Sequence, residues 1–326
     1  VNLQPFDPVA EVEQISRIQG APSIARGVPV LNQAINRLEQ LNISSVLDGH
    51  GGDEVISSWG TTRFFELAQD GAWRELWREL DQVAKKTESS ALKNFLDLYK
   101  AHGRGIGAKL LRRVYSKFQR KRVSPVYYGL LNEEFKDHPS VALSASISKR
   151  MYPVNHVSER SYQEAMLSTP LQSSGFEFMQ RQYRSRGVRA EFPFWDASVV
   201  EKCLRTPSRQ KLQNGMPRSL LRSVMADRLP HLVANRTSKS DYSDCLLHSF
   251  QSSAEPLKEM ASNRSHWAFS YVDQAEFSSS VEGLHDENTE RQLLSSNNVW
   301  MGLNLVIWLD MVGALQRAPS LMPEIS

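Results

Sequence analysis

The chain has 326 residues, 40% of them apolar and 23% charged, and a net charge of +3. Those values describe an ordinary globular protein, exclude an intrinsically disordered one, and single out no partner by charge. Two cysteines, Cys203 and Cys245, indicate no disulfide framework and read as reduced buried thiols; without a signal peptide or a membrane-length apolar run, the expected setting is the cytoplasm.

Residues 1–30 read as loop, punctuated by Pro5, Pro8, Pro22 and Pro29. Val30, Leu31, Ala34, Ile35 and Leu38 then recur at helical spacing, and Ile43, Val46 and Leu47 make a short apolar run that reads as a buried strand. That strand runs into Asp48-Gly49-His50-Gly51-Gly52-Asp53-Glu54. Three glycines within four positions allow positive φ and close approach to a ligand. The carboxylates suit Mg²⁺, a hard cation often shared with substrate phosphates. A strand ending in a glycine-rich acidic loop is where open α/β sheets place such chemistry, although a solvated acidic turn gives the same pattern. Residues 1–60 therefore read as half of an α/β layer. A parallel strand needs neighbours, so something upstream is expected to be missing.

Residues 61–326 read as mainly helical. Trp73, Leu76, Trp77, Leu80, Val83 and Ala84 share one face, and packing explains the two tryptophans better than base stacking does. Leu92, Phe95, Leu96 and Tyr99 continue the pattern. Residues 98–132 contain no acid, and Arg104, Lys109, Arg112, Arg113, Lys117, Arg120, Lys121 and Arg122 alternate with apolar residues. A solvated helix face is the plainer reading of this stretch; an acidic peptide, a nucleic acid or a membrane surface is the sharper one. Residues 151–183 read as one or two helices bracketed by Pro153 and Pro170 and closed by Gly187. Residues 191–196 read as a Pro-containing turn, 197–204 as a short helix, and Pro217-Arg218 as the start of a helix that Pro230 ends. Serine-rich residues 278–280 and residues 285–288 read as surface loop. Residues 299–315 read as an apolar closing helix with Trp300, Leu303, Val306 and Val312 in the core.

Three stretches carry a resemblance. Residues 47–54 resemble the Ser-Gly-Glu-Gly-Ser-Asp-Glu signature of the asparagine synthetase family. Glu191-Phe192-Pro193-Phe194-Trp195-Asp196 resembles that family's Arg-x-Pro-Phe-x-Asp segment, and Arg236-Thr237-Ser238-Lys239-Ser240-Asp241 its lysine-bearing segment. They occur in the family's order over roughly three quarters of the chain, in the style of β-lactam and lasso-peptide macrolactam synthetases. The resemblance implies an α/β remnant (1–60) and a helical remainder (61–326) of one adenine-nucleotide α-hydrolase-like, PP-loop ATP pyrophosphatase domain. It implies ATP and Mg²⁺ as cofactors, adenylation of a small-molecule or peptide carboxylate with release of pyrophosphate, and amide formation with an amine. Asparagine, a β-lactam and a macrolactam stay open as products.

By the same resemblance, Asp53 matches the metal-binding aspartate and Glu54 supports it. Gly49, Gly51, Gly52 and Lys239 match the ATP and pyrophosphate site, with Asp241 orienting Lys239. His50 stands where family members carry Glu or Tyr. A histidine there is an apt general base, since its ordinary pKa lies near working pH, or else a loop residue that only caps. The family's Glu-x-Arg is reversed to Arg189-Ala190-Glu191, so that Glu191 has to stand in for the family acid. The chain contains no Ser-Gly-Gly-x-Asp-Ser stretch and no sign of a glutamine-hydrolysing domain. The expectation is the C-terminal portion of a ligase, inactive alone, whose partner carries the missing PP-loop half. The alternative is a non-catalytic module that uses residues 104–122; a membrane is not expected, and nucleic acid comes last.

Overall fold

The computed structural model describes residues 3–23, 25–56, 61–86, 90–103, 130–136, 138–139, 158–236, 242–263 and 266–317. The basic segment 104–122, Lys239 and Asp241 lie outside these residues. Within them the chain is mostly helical, and no helix is long and apolar enough to cross a membrane.

The first helix, α1 (Pro8–Gln19), overturns the loop reading of residues 1–30. Pro8 sits in the opening turn, where its missing N–H costs nothing, and the Asp7 carboxylate accepts from the Val9 and Ala10 amides. Its buried face carries Val12 and Ile15. Helix α2 (Val28–Gln40) follows, with Pro29 again in the opening turn. Strand β1 (Ser45–Leu47) is shorter than expected and not buried: Val46 packs partly, whereas Leu47 is 74% exposed.

Helices α3 (Thr61–Gln69), α4 (Trp73–Ala84) and α5 (Ala91–His102) make a separate layer around Leu67, Leu76 and Leu80. Trp73 and Trp77 both pack edge-on against Phe95, but only Trp73 joins the core of this layer; Trp77 is 42% exposed. A four-residue helix α6 (Glu133–Lys136) precedes α7 (Glu159–Ser168) and α8 (Pro170–Arg184).

The expected turn at 191–196 begins as strand β2 (Arg189–Glu191), which pairs parallel with β1 in the register Ser45↔Arg189 and Leu47↔Glu191. The α/β layer therefore draws on residues 189–191 as well as on those before 60. Helices α2 and α8 pack Ile35, Tyr183 and Val188 with Ala190 to support this short sheet. Helix α9 (Ala197–Arg205) and the four-residue α10 (Ser208–Lys211) come next. A hairpin follows, β3 (Leu212–Gln213) with β4 (Met216–Pro217), so Pro217 lies in a strand rather than at a helix start. Its turn is Asn214-Gly215, both at positive φ, the pairing that a two-residue hairpin selects. Helix α11 (Ser219–Val224) stops well before Pro230, and α12 (His231–Ala234) follows.

The main core is built by α1, α13 (Ser243–Ser252), α14 (Ala254–Ser262), α15 (Gln274–Glu282) and α16 (Thr289–Arg317). Helix α15 replaces the loop expected around residues 278–280: Asp273 caps it, and Phe277 and Val281 are fully buried. Val299, Trp300, Leu303 and Val306 of α16 are fully buried, as the apolar run implies, but the helix starts ten positions before residue 299. Cys203 is buried, whereas Cys245 is only half-buried.

Candidate active site

The glycine loop leaves the C-terminal end of β1 and is held from both sides. The Asp48 amide donates to the Glu191 carbonyl at 2.8 Å, extending the parallel pairing by one rung. The Asp48 carboxylate accepts from its neighbour's amide, His50 N–H at 2.7 Å, and from the Tyr183 hydroxyl of α8 at 2.7 Å. Burial, and then the bond to the Asp48 carboxylate, pushes the Tyr183 phenol above its ordinary pKa. Tyr183 thus stays protonated and clamps the start of the loop.

Gly51 has φ +96°, and a Cβ there would collide with the indole of Trp195 and with Phe194. Both the backbone conformation and the close approach require glycine at this position. Gly49 and Gly52 take no positive φ. The chain then enters one turn of wide helix, Gly52–Ile56, which carries Asp53 and Glu54 in its opening turn. Val55 and Ile56 anchor that turn among Cys203, Phe194, Trp195 and Leu221.

The His50 ring sits in an aromatic box. It stacks on Trp195 at 6.3 Å, and it meets Phe176 edge-on at 5.2 Å and Phe192 at 6.1 Å. His50 Nε2 and Trp195 Nε1 are buried with no hydrogen-bond partner among the described residues. Ser16 Oγ, Gln182 Oε1 and Trp300 Nε1 share that state away from the loop, so the missing partners do not by themselves mark a ligand site.

Asp53 pairs with Arg218, which projects from a left-handed residue at the start of α11. Glu54 follows it on the same turn. Among the described residues no group of three His, Cys, Asp or Glu is placed to hold a metal. Asp53 and Glu54 are hard oxygen donors by their chemistry, and Asp53 is engaged by Arg218.

Glu191 reaches the loop through its backbone. Its side chain lies at the surface, 3.0 Å from Arg189 Nε. The reversed acid and base thus pair with each other along one strand, and neither side chain is brought to His50 by any contact seen here.

Beneath the loop lies a buried polar cluster with no counterpart in the sequence reading. Lys211 is 1% exposed; its ammonium meets Gln163 Oε1 at 2.5 Å and Glu159 Oε1 at 3.3 Å. Gln163 Nε2 in turn donates to the Val55 carbonyl at 2.6 Å, which ties the cluster to the turn bearing Asp53. Thr62 donates to Glu159, and Ser208 to Glu66. Desolvation lowers the pKa of Lys211, and Glu159 opposes that shift.

Compared with known proteins, the chain matches the asparagine synthase family model over residues 1–310. No curated protein and no solved structure matches it.

Proposed function

Because this chain belongs to the asparagine synthase family, a family of ATP-dependent amide ligases, we propose that it supplies the C-terminal part of such a ligase, on an adenine-nucleotide α-hydrolase-like sheet. The supporting observation is the loop from Asp48 to Asp53, fixed over the end of a parallel strand by Tyr183, with its Gly51 backbone turned left-handed against Trp195.

In the first half-reaction a carboxylate oxygen attacks the α-phosphorus of ATP, and pyrophosphate leaves. In the second, an amine nitrogen attacks the acyl carbon, loses a proton, and AMP leaves. His50 takes that proton, acting as general base beside the loop. Asp53 with Glu54 would hold Mg²⁺ together with the nucleotide phosphates, which would neutralise their charge. Gly49, Gly51 and Gly52 let the backbone approach those phosphates. Arg218, already beside Asp53, adds positive charge, and Lys239 does the same from the segment that resembles the family's lysine motif. Glu191 contributes its backbone carbonyl, which holds Asp48, while its side chain stays paired with Arg189 at the surface.

The partner is a polypeptide carrying a Ser-Gly-Gly-x-Asp-Ser loop. One edge of β1 is taken by β2, and no described strand covers the other. The test is ATP/pyrophosphate exchange by the chain together with that polypeptide. Carboxylate-dependent exchange is expected, and its absence under all carboxylates tried would refute the ligase assignment.

A further inference from the structure

A cavity of about 730 Å³ opens beside the glycine loop, between residues 22–31, the middle of α8 and the start of α13. Leu31, Phe178, Met179 and Leu246 give it an apolar wall, and His50 lies in its lining. Among the described residues Arg26 is the one permanently charged side chain in the lining, and no described Asp or Glu lines the cavity with it.

Gly175 also faces this space from the interior of α8. A glycine in a helix interior costs ~1 kcal/mol relative to alanine. Here a Cβ would meet nothing within 4 Å, so no tight packing calls for the missing side chain. The room it leaves belongs to the cavity.

Cavities of about 300–1,000 Å³ hold ligands of drug size. A small dicarboxylic amino acid would fill little of this one. Its two carboxylates and one ammonium also call for more than one cation and at least one acid, which the described lining does not offer. We propose that the cavity takes an amphipathic carboxylate with a bulky apolar body, of the size of a short apolar peptide. The body lies on Leu31, Phe178, Met179 and Leu246, and the carboxylate pairs with Arg26. This rests on the ligase reading only in making that ligand the substrate; the binding itself is independent of it.

The test is calorimetric titration of the full 326-residue chain with N-acetyl-Leu-Leu-Phe bearing a free carboxylate, with its C-terminal amide, and with L-aspartate. The acid should bind saturably, the amide about tenfold more weakly or worse, and L-aspartate not at all. Arg26→Gln should bring the acid down to the affinity of the amide, because the charge-assisted pair is lost. Gly175→Leu puts a better helix former into open space, so the circular dichroism and thermal unfolding should hold while binding disappears. Aspartate binding as tightly as the peptide, or peptide binding unchanged in both variants, would overturn the proposal. Exchange driven by L-aspartate, together with no peptide binding, would uphold the ligase and sink this inference. Peptide binding without exchange under any condition would do the reverse.

Discussion

In the proposed reaction, Asp53 is the residue on which the chemistry most directly depends. Asp53→Asn keeps the shape of the side chain and removes its charge, which weakens it both toward Arg218 and toward a hard cation. Assayed with a polypeptide that carries the Ser-Gly-Gly-x-Asp-Ser loop, this variant should lose ATP/pyrophosphate exchange while its circular dichroism stays unchanged; exchange at the original rate would remove Asp53 from the site. His50→Gln separates the two half-reactions. Amide formation should slow by roughly 10²–10⁴-fold, the usual worth of general acid–base catalysis, and exchange much less. Equal losses in both would make the ring a packing element of its aromatic box. Tyr183 gives a pH signature. Its pKa is raised in the folded state, so the native state keeps a proton that the unfolded chain loses. The Tyr183 contribution is therefore complete below the unfolded value near 10 and is lost as pH rises beyond it. Chemical denaturation measured from pH 8 to 11 should show that alkaline decline, and Tyr183→Phe should flatten it. The loop itself is legible in the sequence because Asp48, Gly51 and Asp53 are neighbours. Tyr183 and Arg218 reach it from 135 and 165 positions away, and no local pattern announces either.

At the scale of elements, helices with continuous apolar spacing were readable, and those that open or stop on capping chemistry were not. Pro8 and Pro29 look like breakers until Asp7 and the opening-turn position are considered together. The Ser278–Ser280 stretch looks like loop, yet Ser280 is 5% exposed and its hydroxyl accepts from Asn298 on α16. Small hydroxyl residues let α15 lie close to α16. Strand β2 has a readable alternation, Val188 and Ala190 inward with Arg189 and Glu191 outward, that the following proline obscures. Asn214-Gly215 is likewise a hairpin signal in plain view. If the cap sets the start of α15, Asp273→Ala should cost about 1 kcal/mol, since its carboxylate accepts from the Ala275 and Glu276 amides. Urea unfolding monitored by tryptophan fluorescence measures this; an unchanged midpoint would mean that packing of Phe277 and Val281 alone sets the helix start.

At the scale of the molecule, among the described residues, the helical part closes on itself and the sheet does not. The core around α16 buries Val299, Trp300 and Leu303 completely, whereas β1 pairs on one edge and leaves Leu47 74%, Leu41 51% and Ile43 38% exposed. An uncovered parallel edge flanked by exposed apolar side chains is a template for another strand. A strand added there would lie next to the glycine loop and could bring further backbone amides to the phosphates. This argument predicts that the purified chain shows no ATP/pyrophosphate exchange alone. Adding a polypeptide that carries a Ser-Gly-Gly-x-Asp-Ser loop should restore exchange and protect the amides of residues 43–47 from hydrogen exchange. Leu47→Lys, which charges the open edge, should weaken that complex without changing the unfolding of the helical core. Robust exchange by the chain alone would show that the loop from Asp48 to Asp53 suffices for nucleotide chemistry and that the edge has another use.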